Sequence, residues 1–328
     1  MRNKAVDVVV GFSVNPEITM TYKNLGRKLP VQKRKDGISG TSADVAFWLK
    51  EFGISTKLLA SVGVGDIFTE MVKSIKSIPG LSVKLLPIRE RTPLAVVTID
   101  EDEKTVRHYS DKAPVLKEKV ADAKGIIGAF VSRTETKIQV VTGVMPEDAF
   151  LVKALFATRT RNQPYRIMNP RAAFLFPEHR FALSKILASV DIIVLNHLEL
   201  GCFAGEELNG PESIKASVGG LHELGPKVVV VTCAERGAWL FEKDQQPFHQ
   251  EATLVGSIKD DTGSGDAFMA GLITGRLSGW TFQESMPLAA LFSAFSLTHY
   301  GGSSVTNGKD VLKKWHQLYP EARKVCCE

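Results

Sequence analysis

Short apolar runs and helical stretches alternate along most of this 328-residue chain. Runs rich in valine and isoleucine, without strict alternation, are typical of parallel strands that are covered on both faces. They predict buried strands at Val6–Val10, Lys57–Ser61, Ile138–Thr142, Arg166–Met168, Asp191–Leu195 and Lys227–Thr232. Helices are predicted at Ser42–Glu51, Asp66–Ser77, Pro146–Thr158, His179–Ala188, Pro211–Leu224, Ser264–Arg276 and Thr281–His299. This order predicts an α/β fold with a mostly parallel sheet, whose sites lie at the carboxyl ends of the strands.

Two segments, residues 12–38 and 92–110, break this alternation. Polar and apolar residues alternate in both segments around turns, and the second segment has the pattern of a hairpin with an acidic tip. We predict that they form a small accessory β-sheet that acts as a lid. The alternative is a plain elaboration at the edge of the main sheet. The length suits one large α/β domain, so we expect one domain over residues 1–328, with the lid segments inserted in it.

Composition and charge exclude several classes of protein. The chain is 44% apolar and 23% charged, and its formal net charge is +5, which is ordinary soluble composition. A basic stretch at residues 28–37 is read either as a solvated loop or as a surface that attracts an anionic substrate, and nothing compels nucleic-acid binding. No apolar run reaches the roughly 18 residues of a membrane span. The four cysteines have neither metal-ligand spacing nor a disulfide framework. We therefore expect a cytoplasmic protein that binds neither nucleic acid nor membrane.

The candidate chemistry lies in the sequence KDDTGSGDAFMAGLITG at residues 259–275. A glycine-rich turn that enters a helix presents backbone N–H groups to an anion, and the helix dipole reinforces them. Gly263 and Gly265 permit close approach to a transferring phosphoryl group, and Asp266 stands where it can accept a proton from an attacking hydroxyl. The structural alternative is an ordinary capped helix. The sequence contains no Walker A loop, and the glycine spacing does not fit a dinucleotide fingerprint.

The run DDTGSGDAFMAG resembles the D-T-x-G-A-G-D-x-F-x-x-G signature of the ribokinase (PfkB) family of carbohydrate kinases. The resemblance implies a ribokinase-like three-layer α/β/α sandwich. It also implies transfer of a phosphoryl group from ATP to a hydroxyl of a sugar or sugar-like molecule. Asp266 falls on the catalytic base of that family. Its anion hole would be formed by Gly263, Ser264 and Gly265, with Ser264 in place of the usual alanine.

Three further segments resemble the nucleotide side of this family. Asn196 and Glu199 match an N-x-x-E motif that helps to place Mg²⁺ and phosphate, with Glu199 acting on the metal through water; their alternative role is to cap the next helix. Thr232 and Gly237 match a segment near the nucleotide, which is otherwise an ordinary strand–turn–strand. Gly302 lies in a late glycine turn that resembles the adenine and monovalent-cation region. The implied cofactors are ATP and Mg²⁺, with K⁺ as an additional candidate.

The acceptor segment matches the family less well. SGTSADVA supplies Gly40, but Ser39 and Asp44 stand where the family carries glycine and asparagine. The segment after the first strand, where a sugar-binding aspartate is usual, offers Asn15 and Glu17. The acceptor candidates are therefore Asn15, Glu17, Gly40, Asp44 and, for a phosphosugar, Arg91.

The sequence leaves three alternatives to a sugar kinase open. They are a nucleoside kinase on the same fold, a phosphosugar kinase, and a sugar- or nucleotide-binding homologue without turnover. The expected partner is a small-molecule acceptor, together with a second copy of the chain in a homodimer formed through the lid.

Overall fold

The computed structural model describes residues 6–22, 31–100, 105–110, 113–132, 134–208, 210–302 and 305–326. In chain order the strands are β1 (Val6–Phe12), β2 (Asn15–Tyr22), β3 (Val31–Ser39), β4 (Thr56–Gly63), β5 (Leu81–Arg89), β6 (Ala95–Asp100), β7 (Thr105–Ser110), β8 (Thr136–Val144), β9 (Tyr165–Pro170), β10 (Ile192–Asn196), β11 (Val228–Thr232), β12 (Ala238–Glu242) and β13 (Phe248–Gln250). The helices are α1 (Thr41–Glu51), α2 (Ile67–Lys73), α3 (Val120–Val131), α4 (Ala149–Phe156), α5 (Ala172–Leu175), α6 (Arg180–Leu187), α7 (His197–Ala204), α8 (Pro211–Leu224), α9 (Ser264–Leu277), α10 (Phe282–Ser296) and α11 (Gly308–Leu318).

A nine-stranded sheet forms the centre of the molecule, in the order β13-β12-β11-β10-β9-β8-β1-β4-β5. The strands from β11 to β5 are parallel; at one edge β12 pairs antiparallel with β11, and β13 pairs antiparallel with β12. Alternate residues of β1 enter the two cores on opposite faces: Val8 and Val10 enter one, and Val9 the other. All six predicted strands form within this sheet, so the mostly parallel α/β fold is confirmed.

Helices cover both faces of the sheet. One core contains Trp48 of α1 and Phe292 of α10, whose rings lie 5.2 Å apart, and the other contains Ile127 of α3 and Leu155 of α4. A β-carbon added at Gly271 of α9 would lie 2.6 Å from Cα of Ala289, so glycine permits α9 and α10 to pack closely. Among the described helices, none is long and apolar enough to span a membrane.

A second sheet, in the order β3-β2-β6-β7, is built from the two segments for which the sequence predicts a lid. Strand β2 pairs antiparallel with β3 and parallel with β6, and β6 and β7 form the expected hairpin. The acidic tip predicted at residues 100–103 falls largely outside the described residues. Because this sheet is separate from the main one, the alternative of an edge elaboration is wrong.

The structure shortens several predicted helices. Asp66 is the N-cap of α2, not its first residue, and Ser74–Ser77 form a 3₁₀ turn. Pro146–Asp148 also form a 3₁₀ turn before α4 begins. These limits follow from capping: the Asp66 carboxylate accepts the Thr69 amide, which fixes the first helical turn one residue later.

Candidate active site

The glycine turn that the sequence singles out is the start of α9. Gly263 is the N-cap and has φ 78°, a left-handed conformation that favours glycine. A β-carbon at Gly263 would lie 2.9 Å from Cα of Gly302, so the turn lies directly against the late glycine turn. The Ser264 amide donates to the Asp261 carbonyl at 3.1 Å, so this N–H already has a protein partner. Other first-turn amides lack acceptors within the helix and remain suited to an anion.

Gly265 has a different environment from Gly263. A β-carbon added there would meet no atom of the described residues within 4 Å, and Gly265 is exposed. Packing within the protein therefore gives no reason for glycine at this position. A bare backbone in the first turn of a helix does allow a phosphate to approach closely.

Asp266 lies in the first turn of α9 and is only 9% exposed. Burial raises the pKa of Asp266 to about 8, while the positive charge of Arg171 lowers this pKa and the negative charge of Glu199 raises it. A carboxylate with a raised pKa is a stronger base than an exposed aspartate, and its pKa is closer to the range in which general bases work best.

Arg171 is a residue that the sequence reasoning missed. It follows the last residue of β9, at the carboxyl end of the parallel strands, and its side chain is exposed. Its charge lowers the pKa of both Asp266 and Glu199. The available signal was its position directly after a buried strand, because such positions face the site in α/β sheets.

Asn196 and Glu199 form a reciprocal capping box at the start of α7. The Asn196 side-chain oxygen accepts a hydrogen bond from the backbone N–H of Glu199 at 2.8 Å. In return, Glu199 Oε2 accepts one from the backbone N–H of Asn196 at 2.9 Å. The capping alternative is therefore realised in the structure, and a second role toward metal stays a prediction. Burial raises the pKa of Glu199, and Arg171 lowers it.

Thr232 lies beside this cap, and Gly237 directly precedes β12. Thr232 ends β11 and is paired in register with Asn196 at the end of β10, so the two side chains share the carboxyl edge of the sheet. Gly237 has φ 78°, and a β-carbon there would lie 2.1 Å from the Gln250 carbonyl oxygen. Close packing against β13 thus accounts for this glycine without a ligand.

Asp260, which is 1% exposed, connects the two glycine turns. Its Oδ1 accepts the Thr262 amide at 2.9 Å, and its Oδ2 accepts the Gly301 amide at 2.7 Å. The sequence reasoning aligned this residue with the signature but gave it no role. Its carboxylate holds the turn of residues 260–263 against the turn of residues 300–302.

Four of the five acceptor candidates lie together at the other side of the Gly301–Gly302 turn. A β-carbon at Gly302 would lie 2.6 Å from Asp44 Oδ2, and one at Gly301 would lie 3.0 Å from Glu17 Oε1. Gly40 adjoins Asp44, whose backbone N–H donates to the Gly40 carbonyl at 3.0 Å, and a β-carbon at Gly40 would lie 2.7 Å from Asn15 Oδ1. Arg91 is exposed, and its backbone packs against Gly63, the last residue of β4.

The carboxylates near Asp266 bear on the predicted Mg²⁺ site. Within the described ranges, no group of three or more His, Cys, Asp or Glu side chains is arranged to hold a metal ion. Mg²⁺ commonly retains waters and binds through one or two carboxylates and substrate phosphates. Glu199 is the carboxylate that fits such a role through water.

Comparison with known proteins identifies a family for this chain. Residues 8–307 match the model of the pfkB family carbohydrate kinases. The chain belongs to this family. Members of the pfkB family are phosphotransferases that use ATP and act on sugar or nucleoside hydroxyls, so this chain is a kinase of that class.

Individual relatives of this pfkB-family chain have different substrates. It is 30% identical to a ribokinase of Arabidopsis thaliana over 131 residues, which are 40% of this chain and 35% of that protein. It is 25% identical to a cytidine kinase of Thermococcus kodakarensis over 278 residues, 84% of this chain and 88% of that protein.

Solved structures show the same fold. The structure of Arabidopsis thaliana ribokinase complexed with ribose and ATP matches with a TM-score of 0.73 at 19% identity, covering 94% of this chain and 98% of that one. Phosphofructokinase-2 of Escherichia coli in complex with potassium matches with a TM-score of 0.76 at 15% identity, covering 96% and 99%. The ribokinase-like fold is thereby confirmed.

Proposed function

We propose that this protein transfers the γ-phosphoryl group of ATP to a hydroxyl of a sugar or sugar-like small molecule, with Asp266 as the base. The observation that carries the proposal is the position of Asp266, which is buried in the first turn of α9 directly after Gly263–Gly265 and acts electrostatically on the acceptor candidate Asp44. The acceptor oxygen attacks the γ-phosphorus while Asp266 takes its proton. The bond to the bridging oxygen breaks, which releases ADP and the phosphorylated acceptor.

The residues around Asp266 divide the remaining work. The first-turn amides of α9 receive the negative charge that develops on the transferring group. Arg171 lowers the pKa of Asp266, so its charge favours the ionised form that can accept a proton. Mg²⁺ would neutralise charge on the β- and γ-phosphates, with Glu199 holding one of its waters.

A nucleoside kinase is the second candidate. It is favoured by the similarity to the Thermococcus kodakarensis cytidine kinase, because that match extends over 84% of this chain. Both candidates require the same phosphoryl-transfer residues and differ only in the acceptor pocket.

ADP release in the presence of Mg²⁺-ATP tests the proposal. Sugars, amino sugars, phosphosugars and nucleosides are supplied singly, and the products are identified by mass spectrometry. We expect at least one sugar-like acceptor to stimulate ADP release and to appear as its phosphate ester. If only nucleosides do so, the second candidate is correct. If ATP binds and no acceptor stimulates release, the protein is a binding homologue without turnover and the proposal is wrong.

A further inference from the structure

Three acidic side chains are buried around the Gly301–Gly302 turn. Glu17 is 5% exposed, Asp44 is 3% exposed and Asp266 is 9% exposed. Glu17 lies against Gly301 and Asp44 lies against Gly302, which itself packs on the anion-hole residue Gly263. Asp44 and the proposed anion hole therefore pack against the same glycine, Gly302.

Within the described residues, neither Glu17 nor Asp44 forms an ion pair. Their side-chain partners are hydroxyls: Thr19 donates to Glu17 at 3.2 Å, and Ser39 donates to Asp44 at 3.0 Å. Lys35, an exposed residue of β3, donates to the Tyr300 carbonyl at 3.5 Å. Burial of carboxylates without a counter-charge is unfavourable, and burial together with the charges of Asp266 and Glu17 raises the pKa of Asp44 well above its usual value.

A second observation points to a ligand on the same side of the lid. The hydroxyl of Thr21 is buried, since the residue is 3% exposed, and it has no hydrogen-bond partner in the described part of the chain. Thr21 lies on the face of β2 that also carries Glu17 and Thr19, because side chains alternate along a strand. A buried hydroxyl normally has a hydrogen-bond partner, so the Thr21 hydroxyl is free to bond a ligand on this face of β2.

On the basis of the proposed function, we propose that the acceptor carries a protonated amino group that binds between Asp44 and Glu17, as in an amino sugar or an aminated polyol. An ammonium group has three donors and no acceptor, and an ionised carboxylate has only acceptors. The pair therefore matches in both charge and hydrogen bonding. The same carboxylates repel a phosphate placed near them, which disfavours a phosphosugar bound in this orientation. The asparagine usual at position 44 offers one donor group and one acceptor and has no such charge preference.

Matched acceptor pairs test this inference. Each pair differs only in one group, such as glucosamine with glucose, galactosamine with galactose and mannosamine with mannose. The ratio of kcat/KM between the amino and hydroxyl members is measured for the wild type, for Asp44→Asn and for Glu17→Gln. Asp122→Asn, at an exposed position of α3, is the control.

We expect at least one amino acceptor to be preferred by about tenfold or more, because a site built for a charged donor discriminates against its neutral analogue. Asp44→Asn is expected to reduce that ratio about tenfold, Glu17→Gln to reduce it less, and Asp122→Asn to leave it unchanged. Calorimetry with the amino acceptor and a non-hydrolysable ATP analogue provides a second measurement, in which Asp44→Asn should weaken binding.

The outcomes separate this inference from the proposed function. Efficient phosphorylation of neutral acceptors with no amino preference would overturn the inference and leave the kinase assignment intact. The same holds if Asp44→Asn keeps the wild-type ratio and binding, because Asp44 would then act as a protonated equivalent of asparagine. If no acceptor of any class is phosphorylated, the proposed function and the inference both fail.

Discussion

Glu199 and Glu284 make the same kind of helix cap at the starts of two different helices, but only Glu199 lies near Asp266. Glu199 caps α7 together with Asn196, and Glu284 caps α10 together with Thr281 through the same reciprocal pair of hydrogen bonds. Glu199 also acts electrostatically on Asp266, whereas Glu284 is paired with Arg323 on the surface. The two residues therefore allow capping to be separated from a role toward metal.

Glu199→Gln should raise the Mg²⁺ concentration needed for half-maximal activity several-fold. The glutamine side chain retains an oxygen that can accept a hydrogen bond from the backbone N–H of Asn196, so the cap persists. The negative charge that organises hydrated Mg²⁺ is lost. Glu284→Gln is the matched control and should leave the Mg²⁺ titration unchanged. Equal titrations for both variants and the wild type would restrict Glu199 to helix capping.

At this scale, sequence reasoning finds residues whose chemistry is local. Asp266 and the glycines of its turn are contiguous in sequence, so their spacing alone indicates an anion site at a helix start. Arg171 and Asp260 act on residues that are distant in the sequence. Arg171 lowers the pKa of Asp266, and Asp260 accepts the backbone N–H of Gly301, which lies 41 residues later. Without the order of the strands, nothing in the sequence brings these groups together.

The start of α9 is the element on which the proposed function depends. Gly265→Val should abolish most of the activity, by about 10²-fold or more, because a branched side chain would obstruct the approach of phosphate to the backbone. The variant should fold, since no atom of the described part of the chain lies within 4 Å of the added β-carbon and valine is tolerated in helices at least as well as glycine.

Gly219→Val is the matched control for this variant. Gly219 lies in α8, and a β-carbon there likewise meets no atom within 4 Å among the residues that the structure describes. We expect both variants to have wild-type circular dichroism and the Gly219 variant to have wild-type turnover. A folded and active Gly265 variant would show that the phosphate binds elsewhere.

Among the elements, the buried parallel strands are the most predictable from sequence, because both of their faces enter a core and their apolar runs are continuous. The elements missed by the sequence reasoning carry weaker signals. Helix α3 contains two glycines in twelve residues, and β13 has only three residues at the sheet edge. Such elements are stabilised by packing against the rest of the folded protein, and a local sequence pattern does not indicate this packing.

The stability of the whole molecule should depend on pH through the buried acids Asp44 and Asp266, because both have raised pKa values in the folded state. In the unfolded chain aspartate titrates near about 4. Above that pH the folded protein binds more protons than the unfolded chain, so the free energy of unfolding decreases as pH rises, until the pKa values of the folded state are passed. Each unit of raised pKa corresponds to about 1.4 kcal/mol of this loss.

Asp44→Asn should therefore be more stable than the wild type at pH 8, and this advantage should shrink as the pH approaches 4. Urea denaturation of both proteins at several pH values measures the difference, and Asp122→Asn is the control for an exposed aspartate. A difference that does not vary with pH would show that Asp44 titrates normally in the folded protein.

The turnover number of Asp266→Asn measures whether Asp266 acts as the base. Asparagine keeps the size of the side chain but cannot accept the proton, so turnover with the best acceptor should fall by about 10²-fold or more while ATP affinity changes little. Asp261→Asn, at the exposed neighbour in the same turn, should retain most of the wild-type turnover. Near-normal turnover of Asp266→Asn would contradict the account, because the reaction would then proceed without the base that defines this site.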